Sequence, residues 1–289
     1  MRDDQQLQRD LTRIALTALE GHSFALAGSG AIREHGLVDR LTHDVDLFTN
    51  SYNVDAFNTG IDGLVHELRD AGYDVDEIRR DGLFSQLVIT TQDGRTVDMD
   101  LGYDWREREP ARLAVGPVLN VEDAVATKIN ALYSRQEARD YIDVDAIRAS
   151  GRFTDAELIA ATARRDAGFE TPMFIRQLER IERIEPIRFE EYGVDAAARD
   201  ALTARFLAWA TELRSPEQAA PASGIAPAGP ELTPAAGAPA PDPEEQLRAT
   251  LRARRDAQYR RGAGTDTSPP APEPNRRRDG PAAGPRLGR

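Results

Sequence analysis

Apolar positions along the chain follow two rhythms, and the switches between them mark the expected elements. Between residues 3 and 20, Leu7, Leu11, Ile14, Ala15, Ala18 and Leu19 recur at helical spacing, which predicts an amphipathic helix ended by Gly21. Phe24-Ala25-Leu26-Ala27 is a continuous apolar run that breaks at Gly28-Ser29-Gly30, and a short helix-like segment then ends at His35-Gly36. Asp44 to Phe48 alternates and reads as a second strand. Phe57, Ile61, Leu64, Val65 and Leu68 predict a helix from Asp55 to Ala71, stopped by Gly72. Tyr73 to Asp76 alternates over a short strand whose acids read as solvated, and Asp81-Gly82 is a hairpin signal. Leu83–Thr91 and Arg95–Tyr103 are expected to be strands joined at Gln92-Asp93-Gly94.

The rhythm turns helical after Pro110 and Pro117, which bracket a short apolar piece, Leu113-Ala114-Val115. A helix opens near Asn120 or Val121, with Val125, Ile129, Leu132 and Tyr133 on its buried side. Residues 154–214 are helical by pattern: Thr154-Asp155-x-Glu157 is a helix start, Pro172 opens another helix, and Asp195 to Arg214 is the last. Arg176, Arg180 and Arg183 share a face there, read as a solvated stripe offset by Glu179 and Glu182, with an RNA-phosphate surface as the sharper alternative. Beyond Ser215, 14 of the 18 prolines stand among Ala, Gly, Ser and Thr, a composition that cannot bury a core. A possible Arg-rich helix at Pro243–Arg261 and a basic spot at Arg276-Arg277-Arg278 interrupt it. The expected organisation is an α+β domain over 1–150, a helical domain over 151–215 and a disordered tail over 216–289.

Composition narrows the class. Cysteine is absent, which excludes disulfides and thiolate metal sites. No apolar run approaches the ~20 residues of a membrane span, and the charged start MRDDQQLQRD lacks a secretory apolar stretch, so a soluble cytoplasmic protein without membrane partners is expected. Of the net charge of −12, the tail's nine acids and eleven arginines contribute +2, leaving −14 on residues 1–215. A body this acidic should not bind nucleic acid indiscriminately. Among 37 basic residues the single lysine is Lys128. A compact ammonium that fits between phosphate oxygens is not readily replaced by arginine, which singles Lys128 out.

Two local features carry chemistry. A glycine turn heading a helix leaves backbone N–H groups free to bind phosphate, and Gly28-Ser29-Gly30 is such a turn. Asp44 and Asp46, two apart on a strand, project their carboxylates from one face. Side by side they repel unless a cation lies between them. Mg²⁺ is the expected cation, because it takes carboxylate oxygens together with nucleotide phosphates. In Thr96-Val97-Asp98-Met99-Asp100-Leu101 a further pair, Asp98 and Asp100, shares a face. A third carboxylate on a neighbouring strand completes a metal clamp or acts as general base. Asp140 and Asp143 share a helical face and could orient Lys128 and Arg139 or back the metal site. Arg135 and Arg139 are possible phosphate or RNA contacts.

Gly28-Ser29 followed by Asp44-x-Asp46 resembles the first motif of DNA polymerase β-type nucleotidyltransferases. The fuller pattern of Gly28-Ser29-Gly30-Ala31, His35-Gly36 and Arg40-x-Thr42-x-Asp44-x-Asp46-Leu47 is similar to the AbiEii/AbiGii toxin family. The Asp98–Asp100 strand, Lys128 on its helix and Arg139-Asp140-x-x-Asp143 resemble the later motifs, and Asp104-Trp105-Arg106 resembles a bacterial segment without an assigned role. The resemblance implies a nucleotidyltransferase fold, a small mixed sheet flanked by helices. It implies Asp44, Asp46 and Asp100 as metal ligands, with Asp100 preferred over Asp98. Gly28, Ser29, Gly30, Arg40, Thr42 and Lys128 would bind nucleotide, and Lys128, Asp140 and Asp143 would join the metal ligands in catalysis. The implied activity is Mg²⁺-dependent transfer of a nucleotide from an NTP, with release of pyrophosphate, by the toxin of a toxin–antitoxin or abortive-infection system. The implied acceptor is the tRNA 3′ end and the implied partner a cognate antitoxin. Modification of a small molecule or protein side chain by the same fold is the alternative, and a non-catalytic nucleotide-binding module the second.

Overall fold

The computed structural model describes residues 2–215 other than 41 and 43; the expected tail, with its Arg-rich helix and basic spot, lies outside them. A seven-stranded mixed sheet organises the chain, in the order β3-β4-β5-β2-β1-β7-β6. Helix α1 (Arg2–Ala18) leads into β1 (Phe24–Leu26), then α2 (Gly28–Glu34) and β2 (Asp44–Thr49). β1 and β2 run antiparallel, whereas β2 pairs in parallel with β5 (Thr96–Tyr103). That crossover carries α3 (Val54–Asp70), β3 (Asp74–Asp81) and β4 (Phe84–Thr90).

One sheet face is apolar. Val45, Leu47, Leu87, Ile89, Met99 and Leu101 are all buried on it, because alternate residues of a strand share a face. The same core takes in the apolar stripes of α1 (Leu7, Leu11, Ala15) and α3 (Phe57, Ile61, Leu64, Leu68). Asn53 caps α3, its side chain accepting the N–H of Ala56 at 3.0 Å, the kind of cap worth about 1 kcal/mol.

Two segments differ from the expectation. β3 continues to Asp81, well past Asp76, and turns at Gly82 into β4. Its second half, Glu77-Ile78-Arg79-Arg80, shows no alternation because it forms a sheet edge broken by a bulge between Glu77 and Arg79. The piece between Pro110 and Pro117 is a hairpin, β6 (Ala111–Leu113) with β7 (Gly116–Val118), and β7 joins β1 in parallel. Strands of three residues are too short for a period to register.

The helices follow their signals. α4 (Val121–Ser134) is capped by Asn120, α6 (Asp155–Arg165) opens with a capping box between Thr154 and Glu157, and α7 (Thr171–Glu179) opens on Pro172. α5 (Ala138–Ala149) is separated from α4 by Gln136, whose φ of +54° breaks the helix. A 3₁₀ turn, Arg180–Arg183, interrupts the arginine stripe, so Arg176, Arg180 and Arg183 do not lie along one α-helix, although all three are exposed. Short α8 (Pro186–Glu190) and long α9 (Ala196–Arg214), capped by Asp195, complete the helical segment. Phe174, Phe206 and Trp209 form its buried centre. Among the described residues no helix is long and apolar enough to cross a membrane.

Candidate active site

The site lies on the sheet's other face, where β2 and β5 run side by side. Their parallel register sets Asp44 beside Asp98 and Asp46 beside Asp100. β5 is an interior strand, with β2 on one side and β4 on the other. Asp44, Asp46 and Asp100 are half-buried, and Asp98 is exposed.

Three adjacent carboxylates strain one another's ionisation. Burial, then the charge of Asp44, pushes Asp46 up to about 6. Burial, then Asp46, Asp44 and Asp98, pushes Asp100 up to about 7, against a hydrogen bond from Gln86. Asp44 departs the other way: burial opposes its charge, but the Thr42 hydroxyl and the charges of Arg139, Lys128 and Arg40 hold it below the usual carboxylate range. Thr42 donates a short hydrogen bond to Asp44 Oδ1, and Arg139 Nη1 lies 3.9 Å from Asp44 Oδ2. The carboxylates are therefore neighbours that stand apart. Among the described residues no three Asp, Glu, His or Cys side chains are drawn together tightly enough to cage an ion.

The donor set nonetheless fits a hard divalent cation. Asp100 Oδ1 is buried without a hydrogen-bond partner. Asp46 Oδ2 lies directly over the backbone of Gly28, where an added Cβ would meet it at 1.7 Å. Gly28 also has a φ of +55°, so both conformation and close approach demand glycine there. A divalent ion held by all-oxygen ligands would relieve the repulsion.

Beside the carboxylates lies a buried cationic network. α2 begins at Gly28 itself, and no side chain caps its first turn. Ser29 Oγ accepts from Lys128 Nζ at 2.8 Å and from Arg40 Nη2 at 2.5 Å. Asp143, fully buried on α5, receives Arg40 through two parallel bonds, Nε–Oδ1 at 2.5 Å and Nη2–Oδ2 at 2.8 Å. Lys128 Nζ lies 2.9 Å from Asp143 Oδ2. Burial would raise Asp143, but Lys128 and Arg40 hold it at about 2. Two cations, Lys128 and Arg40, converge on Ser29 and Asp143 here, a donor set that suits an anion such as phosphate.

The sequence candidates divide on this geometry. Gly28, Ser29, Arg40, Lys128 and Asp143 meet in or against one network, next to Asp44, Asp46 and Asp100. The Thr42 hydroxyl is committed to Asp44, and Gly30 packs closely on Leu26. Asp140 has partners outside the Ser29–Arg40–Lys128–Asp143 network. It forks onto Arg135, Nε–Oδ2 at 2.9 Å and Nη2–Oδ1 at 2.7 Å, and accepts the N–H of Glu137 as part of the α5 capping box. Asp140 therefore orients Arg135, and its charge also acts on Arg139, while Lys128 pairs with Asp143. Sequence reasoning missed two side chains. Gln86 stands across from Asp100 in the β4–β5 register. Tyr192, in the turn after α8, lies under the Arg40 guanidinium at 5.3 Å. A strand pairing would have revealed the first, and no local signal marks the second. The Asp104-Trp105-Arg106 segment gains a structural account: buried Arg165 bonds Asp104 and donates to Trp105 O at 2.7 Å, while Asp123 accepts the N–H groups of Glu107 and Arg108.

Residues 9–227 match the family described as "Nucleotidyl transferase AbiEii toxin, Type IV TA system". The chain belongs to the AbiEii nucleotidyltransferase toxin family. It is accordingly a nucleotidyltransferase, and its mixed sheet flanked by helices is a nucleotidyltransferase fold. Enzymes of this kind typically use a divalent metal. Three solved structures resemble this AbiEii chain. JHP933 from Helicobacter pylori is 14% identical, with a TM-score of 0.46 over 72% of this chain and 91% of its own. A putative nucleotidyltransferase from H. pylori is 13% identical, with a TM-score of 0.48 over 72% of this chain and 93% of its own. MenT4, a nucleotidyltransferase toxin from Mycobacterium tuberculosis, is 17% identical, with a TM-score of 0.45 over 75% and 87%. A search of curated proteins found no match.

Proposed function

We propose that this AbiEii chain transfers a nucleotide from a Mg²⁺-bound NTP to the 3′ end of tRNA, and that a cognate antitoxin restrains it. The observation that carries the reading is the juxtaposition of the buried Ser29–Arg40–Lys128–Asp143 network with the carboxylates Asp44, Asp46 and Asp100 on the sheet face beside it. Asp44, Asp46 and Asp100 would hold the metal, which supplies charge neutralisation at the transferring phosphate.

The chain's own residues do the rest. Ser29, the backbone at Gly28 and Gly30, Arg40 and Lys128 grip the triphosphate. Lys128 balances charge developing on the leaving pyrophosphate. Asp143 holds Lys128 and Arg40 in place for that task, and Thr42 and Arg139 orient Asp44. Asp100, the carboxylate farthest from the network along the sheet, takes the proton from the attacking hydroxyl.

The test is incubation of the protein with labelled NTPs, Mg²⁺ and total tRNA, beside an Asp46→Ala control. Label on tRNA that disappears in the control supports the reading. No transfer from any NTP retires tRNA as acceptor. A second reading, a small cationic molecule as acceptor, is favoured by the exposed carboxylates Asp76 and Asp98, which flank Val88 on the site face. Mass spectrometry of candidate acceptors separates the two.

A further inference from the structure

Displacement at phosphorus runs with attacking and leaving oxygens roughly in line. In the reading above, on which this inference rests, pyrophosphate leaves toward Ser29, Arg40 and Lys128. The acceptor hydroxyl must then arrive from the opposite side, past Asp100. What lies there is the face of β4 and β3, next in sheet order.

That face has an unusual make-up. β4 turns Ser85, Leu87 and Ile89 into the core and leaves Phe84, Gln86 and Val88 half-buried on the site side. Gln86 is in register with Asp100 and Val88 with Asp98. The Arg79 guanidinium of β3 lies over the Phe84 ring, 5.7 Å from its centroid, and bonds Asp81 at 3.1 Å. A planar guanidinium laid over an aromatic ring and exposed to solvent is a stacking surface for an unpaired base. Farther along the same face, exposed Asp76 and Asp98 flank Val88. The stacking plane lies two residues along the strands from Gln86 and Asp100, within a nucleoside's reach of them.

We propose that this open face is the acceptor platform, and that its occupant is the unpaired terminal nucleoside of an RNA bearing a free 3′ hydroxyl. The base stacks on the Arg79 guanidinium where it overlies Phe84, and the ribose hydroxyls reach Gln86 and Asp100. The 3′ oxygen bonds to the α-phosphorus of the NTP, the bond to the β-bridging oxygen breaks, pyrophosphate departs with that electron pair, and the hydroxyl proton passes to Asp100.

The experiment uses the full chain with Mg²⁺, labelled NTP and total tRNA, measuring kcat and KM for each substrate, with a melting curve for every variant. Phe84→Ala is expected to raise the tRNA KM by about tenfold or more while the NTP KM stays put. Phe84→Trp, which keeps a ring under the guanidinium, is expected to keep the tRNA KM near wild type, and Arg79→Gln to raise it by a factor similar to that of Phe84→Ala. Because Arg79 is exposed, its variant reads the platform even if Phe84→Ala melts early. Wild-type tRNA KM values in Phe84→Ala and Arg79→Gln overturn the platform while leaving tRNA transfer standing. Labelling of a small cationic hydroxyl compound, with none of RNA, overturns the occupant and the tRNA reading together.

Discussion

Replacing Asp46 or Asp100 by its amide should stabilise this protein when no metal is present, while abolishing activity. Asp46 is raised from 3.8 to about 6 and Asp100 from 3.8 to about 7. In both cases the folded value lies above the unfolded one. Between these values the folded state holds more protons than the unfolded state, so stability falls as pH rises from about 4 to about 7 and stays low above that. Each pH unit of difference is worth about 1.4 kcal/mol, so keeping Asp46 ionised at pH 8 costs at most about 3 kcal/mol. Screening at a half-exposed site, and repulsion shared with Asp100, reduce the single-residue figure to about 1–2 kcal/mol. Asp46→Asn should therefore raise the metal-free Tm at pH 8 by about 2–8 °C. The gain should shrink as pH falls through 6 toward 4, where the wild-type carboxyl accepts a proton. Mg²⁺ should raise the wild-type Tm at pH 8 and leave the variant nearly unmoved. The assay is a thermal melt of wild type, Asp46→Asn and Asp100→Asn at pH 5 and pH 8, in chelator or in Mg²⁺. Amide variants that melt below wild type at pH 8 in chelator would refute the account of like-charge strain.

Other expectations follow from the same geometry. Gly28→Ala should destroy nucleotide transfer and lower Tm, since its methyl would overlap Asp46 Oδ2; a fully active variant would show that the contact relaxes freely. Lys128→Met should lower stability by less than Asp143→Asn, because Arg40 still pairs Asp143 in the first whereas two buried cations lose their anion in the second, at about 3–5 kcal/mol; chemical denaturation ranks them. Asp143 also contributes in the opposite pH sense to Asp46: its folded value is lowered to about 2, so its stabilisation is present above about pH 4 and lost as pH falls toward 2. An acid titration comparing wild type with Asp143→Asn should show that loss in wild type alone. Arg165→Met should lower Tm by breaking the buried bond to Asp104, with the KM for NTP unchanged at temperatures where the fold holds.

What the chain's order of residues determined alone is local. The alternation around Asp44 and Asp46 is enough to put both carboxylates on one strand face, and glycine at 28 is enough to mark a tight turn, because strand period and backbone freedom depend on immediate neighbours. Helix starts at Thr154, Pro172 and Asp195 were legible for the same reason. Short elements were not: β6 and β7 hold three residues each, fewer than a period needs, and the bulged edge of β3 has no buried face to impose one.

Only the tertiary structure decided who partners whom. Asp140 and Asp143 are a turn apart on one helix and look equivalent in sequence, yet one closes on Arg135 and the other on Lys128 and Arg40. Asp143 meets Ser29 across 114 residues, and Tyr192 reaches Arg40 from the far helical segment. Charges buried in a core are stable only beside their opposites. Which opposites come within reach is set by how sheet and helices pack.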